Sequence, residues 1–229
     1  MTDRQPRRIM VIFAHPDDAE FTCSGTLAKW IAEGDEVTYV ACTSGNKGSQ
    51  DRNINPAQLA VTREEEQKAA AQELGIKDVV FLRHNDGEVE PTLAFRAELT
   101  LVLRQYKPEI VITHDPWLRY AIHPDHRAVG TAAIDAVASA RDHLYFHYQL
   151  NGSLDAHRAK EILLYSPEAP NFWVDITDTF ARKMAALQQH VSQVGKAVDL
   201  EKRMRLRAAE IGQGQGMELA EAFHRIELR

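Results

Sequence analysis

Four short apolar runs, residues 9–14, 37–43, 79–82 and 109–113, punctuate the first half of this chain, with longer helical patterns between them. Each run is apolar enough to be buried on both faces of a sheet. The intervening residues 25–33, 56–74 and 93–106 carry helical periodicity. Gly34 and Gly75 stand where helix C-caps are expected, and Pro108 marks the break before the fourth run. Strands that alternate with helices and bury both faces build a parallel sheet with helices on each side.

Beyond residue 140 the rhythm loosens. Strands are expected at 161–165 and 172–175, and a helix over 177–194. Two shorter helical pieces follow at 196–210 and 218–223, with the Gly212, Gly214, Gly216 loop between them. No Ser- or Pro-rich linker and no internal repeat divides the 229 residues, a length that suits one domain. The expectation is an α/β fold: a Rossmann-like, doubly wound, mainly parallel sheet with a C-terminal α/β extension, forming a single domain over 1–229.

Composition narrows the partners. The chain is 44% hydrophobic and 26% charged, and its net charge of −6 argues against nucleic acid, because phosphate binding needs a basic face. The basic clusters Arg4, Arg7, Arg8 and Arg203, Arg205, Arg207 read as solvated surface. No apolar stretch approaches the ~20 residues of a membrane helix, and the run after the charged N-terminus is too short for a signal-peptide core. Cys23 and Cys42 offer no disulfide framework. The expected location is the cytoplasm.

Two clusters carry the chemistry. His15-Pro16-Asp17-Asp18 closes the first strand, and His123-Pro124-Asp125-His126 follows the fourth, after His114 and Asp115. In an open parallel sheet ligands bind beyond the carboxyl ends of the strands, where strand order reverses. With strands in the order 3-2-1-4, the first and fourth are neighbours, and their loops face each other at that point. Imidazole and carboxylate donors suit zinc, which needs three protein ligands and an open position for hydrolysis. The surplus groups are left to act as base, acid or orienting partner.

Taken singly, His-Pro-Asp is a turn in which Pro fixes φ and Asp caps the next helix, and 127–140 is such a helical run. Two such clusters on adjacent strand ends make coincidence the weaker account. His147 and His157 read as surface or core histidines, and Cys23 as packing. Ser44-Gly45-Asn46-Lys47-Gly48 has the glycines of an anion-binding loop without P-loop spacing, and lines a pocket at most.

The chain resembles the PIG-L/LmbE-like family of zinc-dependent N-acetylglucosaminyl deacetylases. Ala14-His15-Pro16-Asp17-Asp18-Ala19-Glu20 is similar to its AHPDDxE signature, and Thr43-Ser44-Gly45 to its loop after the second strand. Arg63-Glu64-Glu65-Glu66 followed by residues 69–75 resembles its R-x-x-E helix, and Asp86-Gly87 its D-G pair. Thr113-His114-Asp115-Pro116 with His123-Pro124-Asp125-His126 resembles its second metal motif. Val174-Asp175-Ile176-Thr177 and His190-Val191-Ser192-Gln193 resemble its late D-I-T and H-x-S-Q elements.

The resemblance implies one Zn2+ per chain on His15, Asp18 and His126, with another divalent metal such as Fe2+ able to take the same donors. It makes Asp17 the general base toward water that attacks the acetamide. His123 is the oxyanion donor or the acid for the leaving amine, and Asp125 the group that orients an imidazole. Arg63 and Asp86 are candidates for sugar hydroxyl contacts, though Arg63 with its Glu run equally fits an exposed helix face. His190 takes a pocket or a packing role.

The implied substrate is an N-acetylglucosamine-containing sugar or glycoconjugate, and the implied assembly a homo-oligomer, trimer or hexamer. Residues 46–55, 85–92 and 117–122 are expected to rim the pocket, with Trp117 and Tyr120 either stacking on a sugar or packing within their loop. One alternative keeps the metal and changes the bond to another N-acyl amide or an ester. A non-catalytic Rossmann-like binding module is the other, and it lacks a glycine-rich turn after the first strand.

Overall fold

The computed structural model describes residues 5–229, so Arg4 of the N-terminal basic cluster lies outside the described residues. Seven strands form one sheet: β1 (Arg8–Phe13), β2 (Glu36–Thr43), β3 (Asp78–His84), β4 (Ile110–His114), β5 (Glu161–Tyr165), β6 (Phe172–Asp175) and β7 (Ala220–Glu227). Their order is β3-β2-β1-β4-β5-β7-β6. Strands β1 to β5 run parallel, while β7 lies antiparallel between β5 and β6. The expected 3-2-1-4 core and the doubly wound, mainly parallel sheet are both present.

Strand pleating sends alternate residues to opposite faces. In β1, Ile9, Val11 and Phe13 enter one core, and Met10 and Ile12 enter the other. The first core lies under α1 (Asp18–Thr22), α2 (Ser24–Ala32), α3 (Pro56–Leu74), α6 (Phe180–Leu187), the single turn α7 (Val191–Val194) and α8 (Leu200–Gly212). The second lies under α4 (Leu93–Tyr106) and α5 (Pro124–Ala140). Asn55 caps α3 by accepting from Ala57 N at 2.9 Å, Pro56 occupies its first turn, and Gly75 closes it at φ 82°.

Three expectations are corrected. Residues 218–223 are not helical: Leu219 leads into β7, and Ala220, Glu221 and Phe223 are buried within the sheet. Their helix-forming composition is overridden by the open slot between β5 and β6. The helix expected over 177–194 starts later and breaks. Asp175 Oδ1 accepts the Thr177 N–H at 2.9 Å in a turn before α6, and His190 separates α6 from α7. The helix expected at 25–33 begins earlier, as α1 and then α2, so Asp18 starts a helix and Asp17 stands just outside it.

Candidate metal-dependent active site

The carboxyl ends of β1 and β4 bring the two clusters together, because those strands pair in register from Ile9 with Ile110. His15 is buried between them. Its Nδ1 lies 3.3 Å from His126 Nε2 and 3.5 Å from Asp18 Oδ2, and Asp18 Oδ1 lies 3.3 Å from His126 Nε2. Zinc with nitrogen and oxygen ligands at ~2.0–2.1 Å in a tetrahedron spaces its donors about 3.3–3.4 Å apart. Each pair lies near that spacing, with Asp18 meeting the two imidazoles through its two different oxygens.

Other groups crowd the same point. His123 with His15 and His126, His114 with Asp18 and His126, and Asp86 with Asp125 and His15 are further sets that converge closely enough for a cation. His15 Nε2 is committed to Asp125 Oδ2 and Asp86 Oδ1, each at 3.1 Å, which leaves Nδ1 facing Asp18 and His126. His114 Nε2 receives the Ala14 N–H at 3.2 Å, so its lone pair is engaged, and it stacks on His126 at 4.2 Å.

The electrostatics call for a cation. Burial would lower the basicity of His15, yet hydrogen bonds to Asp125, Asp18 and Asp86 outweigh it and push its pKa up to about 12. Burial would likewise raise Asp18, but contacts with His114, His126 and His15 hold it well below the usual carboxylate range. His114 goes down to about 4, first through burial. A buried cluster of carboxylates and imidazoles that forces one of its rings to stay protonated is a donor set that a divalent ion fits.

Asp17 stands apart from the donors. Its backbone sits at φ 109°, a region that non-glycine residues rarely occupy and that clusters at functional sites. Burial raises its carboxyl to about 7 against the opposing charge of Arg63. Arg63 is buried in the middle of α3, which removes the exposed-face alternative. Its Nη2 donates to Asp17 Oδ2 at 3.2 Å and to Pro16 O, and its Nη1 to Gly45 O at 3.0 Å. Side chains at Gly45 and Gly48 would collide with this guanidinium, so those glycines make room for an arginine rather than wrap an anion.

His123 N-caps α5, its Nδ1 accepting from Asp125 N at 3.3 Å. That bond assigns the proton of the neutral ring to Nε2. Burial and the neighbouring His15 and His126 lower its pKa, so the ring is neutral near pH 7. Asp125 is fully buried and accepts from Gly87 N at 2.6 Å and Val89 N at 3.2 Å while holding His15. Asp86 is turned inward to His15 as well.

A further chain of residues was not legible as site machinery. The Asp17 N–H donates to Gln67 Oε1, Gln67 Nε2 to Glu20 Oε1, and Glu20 Oε2 meets His190 Nε2, each at 3.1 Å. Gln67 lies four residues after Arg63 on the same helix face, and that spacing was its one sequence signal. His147 is exposed in a turn away from the cluster, and His157 binds Pro108 O at 2.6 Å. Trp117 and Tyr120 are 64% and 91% exposed on the loop before α5. Among the described residues no helix is long and apolar enough to cross a membrane.

A parallel sheet that gathers imidazoles and carboxylates at its switch point defines an α/β protein with a candidate metal centre. The chain belongs to the PIG-L family: the family model described as GlcNAc-PI de-N-acetylase matches residues 10–137. It is 36% identical over 187 residues to the diacetylchitobiose deacetylase of Thermococcus kodakarensis, covering 82% of this chain and 70% of that one. It is 30% identical to a 1D-myo-inositol 2-acetamido-2-deoxy-alpha-D-glucopyranoside deacetylase of Mycobacteroides abscessus, covering 82% of each. The solved N,N'-diacetylchitobiose deacetylase of Pyrococcus horikoshii superposes with a TM-score of 0.92 at 33% identity, covering 96% of this chain and 84% of that one.

Proposed function

We propose that this protein is a metal-dependent N-deacetylase that hydrolyses the acetamide of an N-acetylglucosamine-type sugar or glycoconjugate. The observation that carries this reading is the convergence of His15 Nδ1, the Asp18 carboxylate and His126 Nε2 to within 3.3–3.5 Å of one another, beside the strained Asp17. Those three would hold one Zn2+, and Fe2+ is the alternative that the same donors accept. Such an ion polarises a carbonyl and lowers the pKa of water.

The chain's own groups divide the remaining work. Asp17 is poised near neutrality, where a carboxylate both exists and accepts a proton readily. Arg63 keeps it ionised and fixes its direction. His123 presents Nε2–H to the charge that develops on the carbonyl oxygen, and the same proton can pass to the leaving amine. Asp125 and Asp86 orient the His15 ring.

The test is acetate release from N-acetylglucosamine and diacetylchitobiose by protein of known metal content, beside Asp17→Ala. Loss of turnover with metal retained supports the base assignment. Metal bound without acetate release from either sugar, but with turnover of simple N-acyl amides or esters, keeps the site and discards the substrate class. A protein that binds no divalent metal overturns the reading.

A further inference from the structure

We infer that the acyl side of this site accepts N-acyl chains longer than acetyl, up to about six carbons, an inference that rests on the deacetylase reading. A cavity of about 170 Å³ opens against Asp18, His114 and His126. Most of its remaining wall surface is apolar, from Leu118, Ala121 and the Tyr165 side chain, with Asp115 at its edge. Asp17, Arg63, Asp86 and His123 do not line it.

An amide carbonyl held at the cluster has one substituent on each side. Sugar hydroxyls in an apolar cavity would lose their hydrogen bonds to water without replacement, so the amine half belongs with the polar residues. The acyl half is left with the apolar cavity. Its volume exceeds what a methyl group fills: an apolar cavity of about 150 Å³ holds a benzene ring. A hexanoyl chain therefore fits where acetyl leaves most of the space to water.

The loop that closes the cavity is pinned from outside. Arg127 Nη1 donates to the carbonyls of Ala121 and Ile122, and Arg119 Nε donates to Glu168 at 2.9 Å. At the far end Thr22 and Ser166 each line both this cavity and a second one of about 520 Å³ under α8. Arg207 Nη2 donates to Ser166 Oγ at 3.0 Å across that boundary, which sets the end of the acyl chain. The reaction is unchanged: the C–N amide bond breaks, water gives its OH to the acyl carbon and its proton to the amine, and the longer acid leaves as a carboxylate.

The experiment compares kcat/KM for N-acetyl-, N-butanoyl- and N-hexanoylglucosamine, read as free amine, in the metal-loaded enzyme and in Ala121→Phe. The expected result is that hexanoyl is turned over at least as well as acetyl, with about fourfold per added methylene as the ceiling. Ala121→Phe should then cut hexanoyl thirtyfold or more and leave acetyl within threefold. A tenfold fall from acetyl to butanoyl in the unmodified enzyme, or an equal loss on all three substrates in Ala121→Phe, overturns the inference. If acetyl and hexanoyl amides both fail, it is the deacetylase reading that has failed, and calorimetry with sodium hexanoate and sodium acetate still decides the cavity. Hexanoate binding tenfold tighter than acetate and lost in Ala121→Phe supports it, and equal binding sinks it.

Discussion

The guanidinium of Arg63 stands 3.2 Å from the carboxylate of Asp17, with Arg63 buried and Asp17 almost so. Burial pushes Asp17 up and Arg63 pulls it down, leaving it near 7. Arg63→Met removes the cation, so the Asp17 pKa rises further. A base works deprotonated, and the acid limb of the kcat/KM profile therefore moves to higher pH. The loss at pH 6 should be about tenfold for each unit that limb moves, with recovery in alkali. A pH-rate profile that drops uniformly without shifting would refute this.

Gly48 has no room for a side chain because the Arg63 guanidinium fills the space its Cβ would take. Gly48→Ala should displace Arg63 and reproduce the Arg63→Met profile. The double variant should lose little more than either single one, since both act through one contact. Additive losses in kcat/KM would separate the two residues.

In the metal-free chain His15 is held protonated, its pKa raised from 6.5 to about 12. A raised folded-state pKa adds stability that is complete below pH 6.5 and is lost as pH climbs from there toward 12. Chelator-treated protein should melt at progressively lower temperature from pH 6.5 to 9, and His15→Gln should flatten that slope. Metal must also displace this proton, so zinc affinity should rise with pH, with proton release visible by calorimetry in buffers of different ionisation enthalpy.

Asp125 fixes the His15 ring and takes two backbone N–H groups from the loop before α4. Asp125→Ala should weaken metal binding by about 10–100-fold. It should also cost about 1–3 kcal/mol for each N–H left buried without a partner. Competition with a chromophoric chelator and denaturant unfolding read the two effects separately.

Lys183 Nζ and Glu221 Oε1 pair at 2.7 Å with both side chains nearly fully buried. Glu221 also receives the Gly25 and Thr26 N–H groups at the start of α2. Lys183→Met strands that carboxylate and should cost about 3–5 kcal/mol in urea unfolding. Adding Glu221→Gln should restore much of it, and a double variant as unstable as the single would count against the pairing.

The parallel core and the meeting of the two clusters were legible in the residues themselves. Apolar runs spaced by amphipathic helices leave few alternatives to a 3-2-1-4 sheet, and that order puts the ends of strands one and four side by side. His15, Asp17, Asp18, His123, Asp125 and His126 could be named because donors of one chemical kind recur in short clusters at those ends. Local pattern carries such information, since strand period and helix period are properties of neighbouring residues.

What the sequence left open depends on partners distant along the chain, and only the tertiary structure decided it. Residues 218–223 have the composition of a helix, yet β5 and β6 present unpaired edges that a strand satisfies, and Glu221 is tolerated there because Lys183 and α2 meet it. Arg63 fitted a sugar contact and an exposed helix face equally until α3 turned it toward Asp17 and the two glycines opened space for it. The left-handed backbone of Asp17 has no local signature, and the motifs that hold Glu20 and His190 do not say that Gln67 links them to Asp17. Hydrogen bonds across 46 to 170 residues form only after the sheet exists, because the closing contacts, not the local propensities, supply their free energy.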